Sequence, residues 1–126
     1  VNDEMSGDDK VCISSYESFP DLFPKCRAIV HQCGIGTTSQ ALLSGKPQIL
    51  IPFAHDQPDN AHRVKNLGCG VIVFAGKLNS EKLSNAIFEI IKNETYQENA
   101  SKIRSELLKN DFEKNFMNAI NTILKL

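Results

Sequence analysis

The sequence predicts an α/β domain: a parallel sheet with helices on both faces. Three observations lead there. Short apolar runs alternate with helical patterns, joined by brief connections. The run PQILIP (47–52) is apolar without alternation, as a strand covered on both faces should be. The run AIVHQCGIGTT (28–38) passes straight from a strand pattern through a glycine-bearing turn into a helix. With 126 residues, 41% of them apolar, the chain is long enough for one compact domain with its own core.

The elements follow in order. VNDEMSGDDK (1–10) is polar and acidic and reads as a disordered lead-in to a domain over 11–126. VCISS (11–15) reads as a first strand. FPDLFPKCR (19–27), with two prolines, reads as a loop holding a short helical turn. Residues 28–32 form a second strand. Residues 36–44 form a helix with Gly45 as its left-handed stop. Residues 47–52 form a third strand. Pro58 suits a first helical position, which predicts a helix over 58–67 ended by Gly68. GVIVF (70–74) is a fourth strand. Asn79 or Ser80 caps a helix whose apolar positions are Leu83, Ala86, Ile87, Ile90 and Ile91. Residues 96–108 form another helix. Phe112, Phe116, Ala119, Ile120, Ile123 and Leu124 give a last amphipathic stripe; it and the 83–91 stripe are expected to face the core.

Composition excludes several classes. A formal net charge of -1 argues against a nucleic-acid surface. No apolar run approaches a membrane span, and no leader pattern opens the chain. Cys12, Cys26, Cys33 and Cys69 show no C-x-x-C spacing and read as free thiols in a reducing compartment, which predicts a cytoplasmic protein.

The chemistry gathers at two strand ends. The strand at 28–32 delivers His31, Gln32, Cys33, Gly34 and Gly36, then Thr37 and Thr38 at a helix start, where free backbone N–H groups and the helix dipole suit a phosphate. The strand at 47–52 delivers Pro52, Phe53, Ala54, His55, Asp56 and Gln57, a carboxylate and an amide suited to sugar hydroxyls. Ligands of such sheets bind beyond the carboxyl ends of the strands, so neighbouring strands would set the two groups across one crevice. Phosphate and polyhydroxyl recognition side by side suggests a nucleotide sugar. Taken alone, each feature also has a plainer reading: His31 as a core histidine, Asp56 and Gln57 as a helix cap, the glycine turn as a simple connection, Tyr16 and Phe19 as loop anchors. His31, Cys33, His55 and Asp56 are metal-ligand types, but their spacing matches no standard site, and no metal is expected.

The segment HQCGIGTTSQALLSGKPQILIPFAHDQPDNAHRVKNLGCG (31–70) closely resembles the donor-binding signature of UDP-glycosyltransferases with the two-domain GT-B fold, nearest the bacterial branch of macrolide, sterol and rhamnosyl transferases. The likeness runs over about 11–92, because YESFPDLFPKC (16–26) is similar to that family's base-contacting loop. It implies the C-terminal Rossmann-like half of the fold, with its first strands and the N-terminal domain absent from these residues. It implies that His31, Gln32, Gly34, Gly36, Thr37 and Thr38 hold the donor phosphates, Gln40 the ribose, Tyr16 and Phe19 the base, and Asp56 and Gln57 the transferred sugar. No catalytic residue falls in these residues, since the family's general base lies in the N-terminal domain. No cofactor is implied beyond the UDP- or dTDP-linked donor itself.

Gln32 departs from the family pattern, which has a phosphate-contacting histidine there, and Cys33 replaces a glycine. Lys25 and Arg27, the nearest basic residues before the turn, lie at the far end of the strand, roughly 15 Å away. Three readings follow. The chain is the donor half of an inverting, metal-independent hexosyltransferase that transfers nothing alone. Or it is a non-catalytic relative that serves as a binding or scaffold module. Or it is one subunit of a two-chain transferase. Uncovered sheet edge and domain-facing surface also predict self-association.

Overall fold

A computed structural model describes residues 11–110 and 112–125. Three parallel strands lie in the order β1 (Ile29–His31), β2 (Gln48–Leu50), β3 (Gly70–Ile72). Ile29 stands opposite Gln48 and Gln48 opposite Gly70; two residues on, His31 faces Leu50 and Leu50 faces Ile72. A short helix α1 (Phe19–Leu22) and a 3-10 turn (Phe23–Lys25) precede the sheet. Helices α2 (Ile35–Ser44) and α3 (Gln57–Asn66) make the two crossovers, and α4 (Ser80–Lys92), α5 (Glu94–Lys109) and α6 (Phe112–Leu124) follow β3.

The unalternated apolar run has its expected cause. Gln48, Ile49 and Leu50 are each fully buried, because β2 is central and covered on both faces. Leu50 packs with Ala61 and Val64 of α3, Ala100 of α5, Cys33 and Cys69. Ile49 and Ile51 point the other way and pack with Val73 and with Ala86 and Ile90 of α4. Burying a side chain such as Ile49 or Leu50 stabilises the fold by roughly 1.5–3 kcal/mol. The α/β class with helices on both faces is therefore the architecture present.

The helix limits follow local chemistry. Gly45 ends α2 at φ 69 and Gly68 follows α3 at φ 73, both left-handed. Asn79 caps α4 by accepting the Lys82 N–H at 2.8 Å. Asn93 closes α4 and opens α5, accepting the Thr95 N–H at 3.1 Å. Helix α5 then lies across the far ends of α2 and α3. Gln97 Nε2 donates to the Gly45 carbonyl at 2.9 Å, Arg104 Nε to Leu43 at 3.1 Å, and Asn99 Nδ2 to Gly68 at 3.2 Å. The Leu43 carbonyl is one that a helix end leaves without a partner, and the Gly45 and Gly68 carbonyls belong to the left-handed residues that follow the two helices.

Four expectations need correction. Residues 11–15 form no strand and hold a single bridge position at Cys12; Val11 and Ile13, 48% and 58% exposed, have no face to bury against. Pro58 is the second residue of α3 rather than the first, because Gln57 already has helical backbone. The helix expected over 96–108 starts at Glu94, where the Asn93 cap sets it. The α6 stripe does not face a core: Phe116, Ile123 and Leu124 are each more than half exposed, Ala119 is exposed and Ile120 is only partly buried, and α4 on one face and α3 and α5 on the other already cover β2 and β3. The lead-in 1–10 and the Phe112 side chain lie outside the described residues. Cys12, Cys26, Cys33 and Cys69 are free thiols. Among the described residues no helix is long and apolar enough to cross a membrane.

Candidate functional site

The loops that follow β1 and β2 leave the same edge of the sheet. The ladder carries on past the strands, with the Ile51 N–H donating to the His31 carbonyl at 2.9 Å. After β1 the chain turns at Cys33 and enters α2, whose N-cap is Gly34. The first helical bond is Thr38 N–H to the Gly34 carbonyl, 2.9 Å. The amides of Ile35, Gly36 and Thr37 precede that bond, and no side chain caps them. An alanine Cβ placed at Gly34 or Gly36 would meet nothing within 4 Å, so the space above the turn is open.

His31 looks inward. The Cys33 N–H donates to its Nδ1 at 3.0 Å, so Nε2 carries the proton and donates to Gln48 Oε1 at 2.7 Å. Both ring nitrogens are taken within the protein, and any part His31 has in anion binding passes through the turn it holds. Burial pushes its pKa below the usual histidine value, against a smaller upward effect of the Gln48 bond. Cys33, which stands where the family pattern has glycine, adopts the left-handed backbone with φ 69, a region that L side chains rarely enter. Its side chain is fully buried, and burial pushes the thiol up to about 11. Gln32 is exposed beside it. Thr37 is partly buried, and Thr38 is buried with Oγ1 unpartnered.

After β2 the chain passes His55, also left-handed at φ 59, and reaches Asp56, the N-cap of α3. Gln57 Oε1 accepts the N–H groups of Phe53 and Ala54 at 2.8 and 3.1 Å. Backbone N–H groups only donate, so the Gln57 oxygen must face them and Nε2 remains as a pure donor. Asp56 Oδ2 accepts from Asn60 Nδ2 at 3.0 Å, which leaves Oδ1 open. The same Asn60 Nδ2 donates to the Cys33 carbonyl at 2.9 Å. One amide group therefore touches both loops, and the turn and Asp56 lie on the same side of the molecule.

Tyr16, Phe19 and Gln40 line one cavity of about 670 Å³ together with Leu22 and the Ser14–Ser18 segment. Phe19 stacks on the buried Phe23 with ring centroids 4.5 Å apart. Gln40 lies one turn after Gly36 on the same face of α2. Among the described residues no three His, Cys, Asp or Glu side chains converge as metal ligands would.

Two residues escaped the sequence reading. Gln48 interrupts an apolar strand, and a buried polar group demands a partner; that signal was available. Asn60 carried a fainter one, its i,i+4 spacing from Asp56.

The model of the erythromycin biosynthesis protein CIII-like C-terminal domain matches residues 6–120. The chain belongs to that family. It is a CIII-like C-terminal domain of the GT-B glycosyltransferases, as the resemblance implied. A sterol 3-beta-glucosyltransferase of Vanderwaltozyma polyspora is 36% identical over 102 residues, 81% of this chain and 8% of the relative. The erythronolide mycarosyltransferase of Saccharopolyspora erythraea is 33% identical over 87 residues, 69% of this chain and 21% of the relative. This CIII-like domain thus spans a quarter or less of the curated relatives it matches. Spinosyn forosaminyltransferase is similar in fold, with TM-score 0.89 at 17% identity and a match that covers 100% of this chain and 34% of that structure. The glycosyltransferase VinC, solved in complex with dTDP, matches 74% of this chain and 24% of its own, with TM-score 0.70 at 26% identity.

Proposed function

We propose that this domain binds the nucleotide-sugar donor of a glycosyltransferase that moves a hexosyl group from a UDP- or dTDP-sugar to an acceptor hydroxyl. The carrying observation is the open space at Gly34 and Gly36. Neither the packing of the chain nor a positive φ requires glycine at those two positions. A ligand that comes close to the backbone does. The diphosphate takes the amides of Ile35, Gly36 and Thr37, with Gln32 and Thr37 beside it and His31, Cys33 and the buried Thr38 holding the turn. Asp56 Oδ1 accepts one sugar hydroxyl and Gln57 Nε2 donates to another. The base enters the cavity of Tyr16 and Phe19, and the ribose meets Gln40. VinC, bound to dTDP, supports a pyrimidine nucleotide as the ligand.

In transfer, the acceptor oxygen attacks the anomeric carbon and the carbon–oxygen bond to the phosphate breaks, its electron pair leaving with the diphosphate. The free amides and the positive end of α2 take up that growing charge. A base outside these residues, in the N-terminal domain, receives the acceptor proton, so this chain alone transfers nothing. Titration of the 15N-labelled chain with UDP, dTDP and their glucose conjugates tests the reading. The nucleotides shift amides at 34–38 and 16–19; the conjugates shift Asp56 and Gln57 in addition. No shift at Gly34–Thr38 or Asp56 with any of them overturns it.

A second reading rests on charge. Residues 32–38 and 51–57 contain no Lys or Arg, and Gln32 supplies no cation. That favours a binding or scaffold module. Gln32→His in a longer protein that holds both domains separates the two: a gain in turnover marks a weakened enzyme, and no gain with intact folding marks the module. Co-purification of a partner chain that supplies the second domain would point to a two-subunit transferase.

A further inference from the structure

We infer that Asn60 is a positioning residue, which fixes the phosphate turn and the sugar-reading pair relative to each other through its two amide protons. The inference rests on the donor-binding reading above. The two acceptors, the Cys33 carbonyl at 2.9 Å and Asp56 Oδ2 at 3.0 Å, belong to loops after different strands. Both can only accept, so the amide must present its –NH2 to them, and its two protons serve one each. Asn60 is itself buried at 9% exposure and anchored, its own N–H donating to the Asp56 carbonyl at 3.0 Å.

Each bond has its own effect. Asp56 is exposed and makes no capping bond to its helix. Without Asn60 its carboxylate would turn freely among rotamers and lose affinity to that freedom on binding. With Asn60 on Oδ2, Oδ1 is left in one direction. On the other side, the Cys33 carbonyl belongs to the peptide that leads into Gly34, and Cys33 is the left-handed residue of the turn. His31 grips that residue by its N–H and Asn60 by its carbonyl. The bridge thus aims the first amides of α2 and the Asp56 carboxylate at one ligand.

Calorimetry with UDP, UDP-glucose, dTDP and dTDP-glucose on the chain and on Asn60→Ala and Asn60→Asp tests this. In the unsubstituted chain the sugar adds affinity over the matching nucleotide. In Asn60→Ala that increment falls by about tenfold or more, while nucleotide binding falls less. Asn60→Asp behaves like the alanine variant at pH 7.5, where a carboxylate would face Asp56. It recovers in part towards pH 5, where the two facing carboxylates share a proton and one O–H restores the bond between positions 60 and 56 but not the one to the Cys33 carbonyl; Asn60→Ala does not recover. Equal weakening of nucleotide and conjugate in both variants, with no acid recovery, overturns the assignment and leaves a purely structural asparagine. An unsubstituted chain that binds nucleotides but gains nothing from either sugar also overturns it. An unsubstituted chain that binds none of the four overturns the donor reading and this assignment with it. Should the alanine variant fail to fold, the aspartate variant read at the two pH values decides alone.

Discussion

Cys33 occupies a backbone conformation that costs an L residue about 1–2 kcal/mol, and three groups keep it there. His31 Nδ1 takes its N–H, Asn60 takes its carbonyl, and the apolar core takes its thiol. The histidine can do this only while Nδ1 is unprotonated. Its folded-state pKa is lowered, so the unfolded chain binds the proton first as pH falls. Stability from this group is present above pH 6.5 and is lost as pH drops towards the lowered folded value, at no more than about 1.4 kcal/mol per pH unit. Urea midpoints measured between pH 8 and pH 5 should fall on acidification, and His31→Gln should remove that part of the fall. At this scale the sequence was half legible. Residue types and spacing marked the turn and Asp56–Gln57, but side-chain direction was hidden. His31 follows the pleat to the covered face, and nothing local to HQCG reveals that Gln48 waits there.

Helices α2 and α3 present their N-terminal ends to the candidate ligand and their C-terminal ends to α5. Their stops were readable because glycine marks the left-handed residue. The role of α5 was not, since its contacts are polar bonds to carbonyls rather than an apolar stripe. Gly45 combines both constraints. Its φ is 69, and an added Cβ would stand 2.8 Å from Arg104 Cδ. Gly45→Ala should therefore destabilise by about 1–2 kcal/mol from the backbone alone, with a steric part added. In an Arg104→Ala background the 2.8 Å clash with Cδ is gone, the Cβ of residue 104 at 3.3 Å remains, and the backbone part stays. Chemical denaturation of the two single variants and the double variant should show coupling between the sites, and strict additivity would remove this explanation.

The sheet has three described strands, and β1 and β3 are both edges. Val30, on the β1 edge, is 47% exposed, and Ile87, Phe88 and Ile91 of α4 together with the α6 stripe add further open apolar surface. Edges and patches of this kind associate. Sedimentation velocity should show mass rising with concentration, and Val30→Lys should reduce it; a monomer at every concentration would contradict the expectation. Alternation of strand and helix made this architecture legible at once. The fate of α6 was not, because amphipathicity declares that a helix has an apolar side but not whether the chain supplies a surface for it. The grip of α5 has a mechanical meaning for the molecule. Two levers hinged on a common bar can tilt only in concert, so the mouth at their opposite tips keeps its span whenever the bar itself moves.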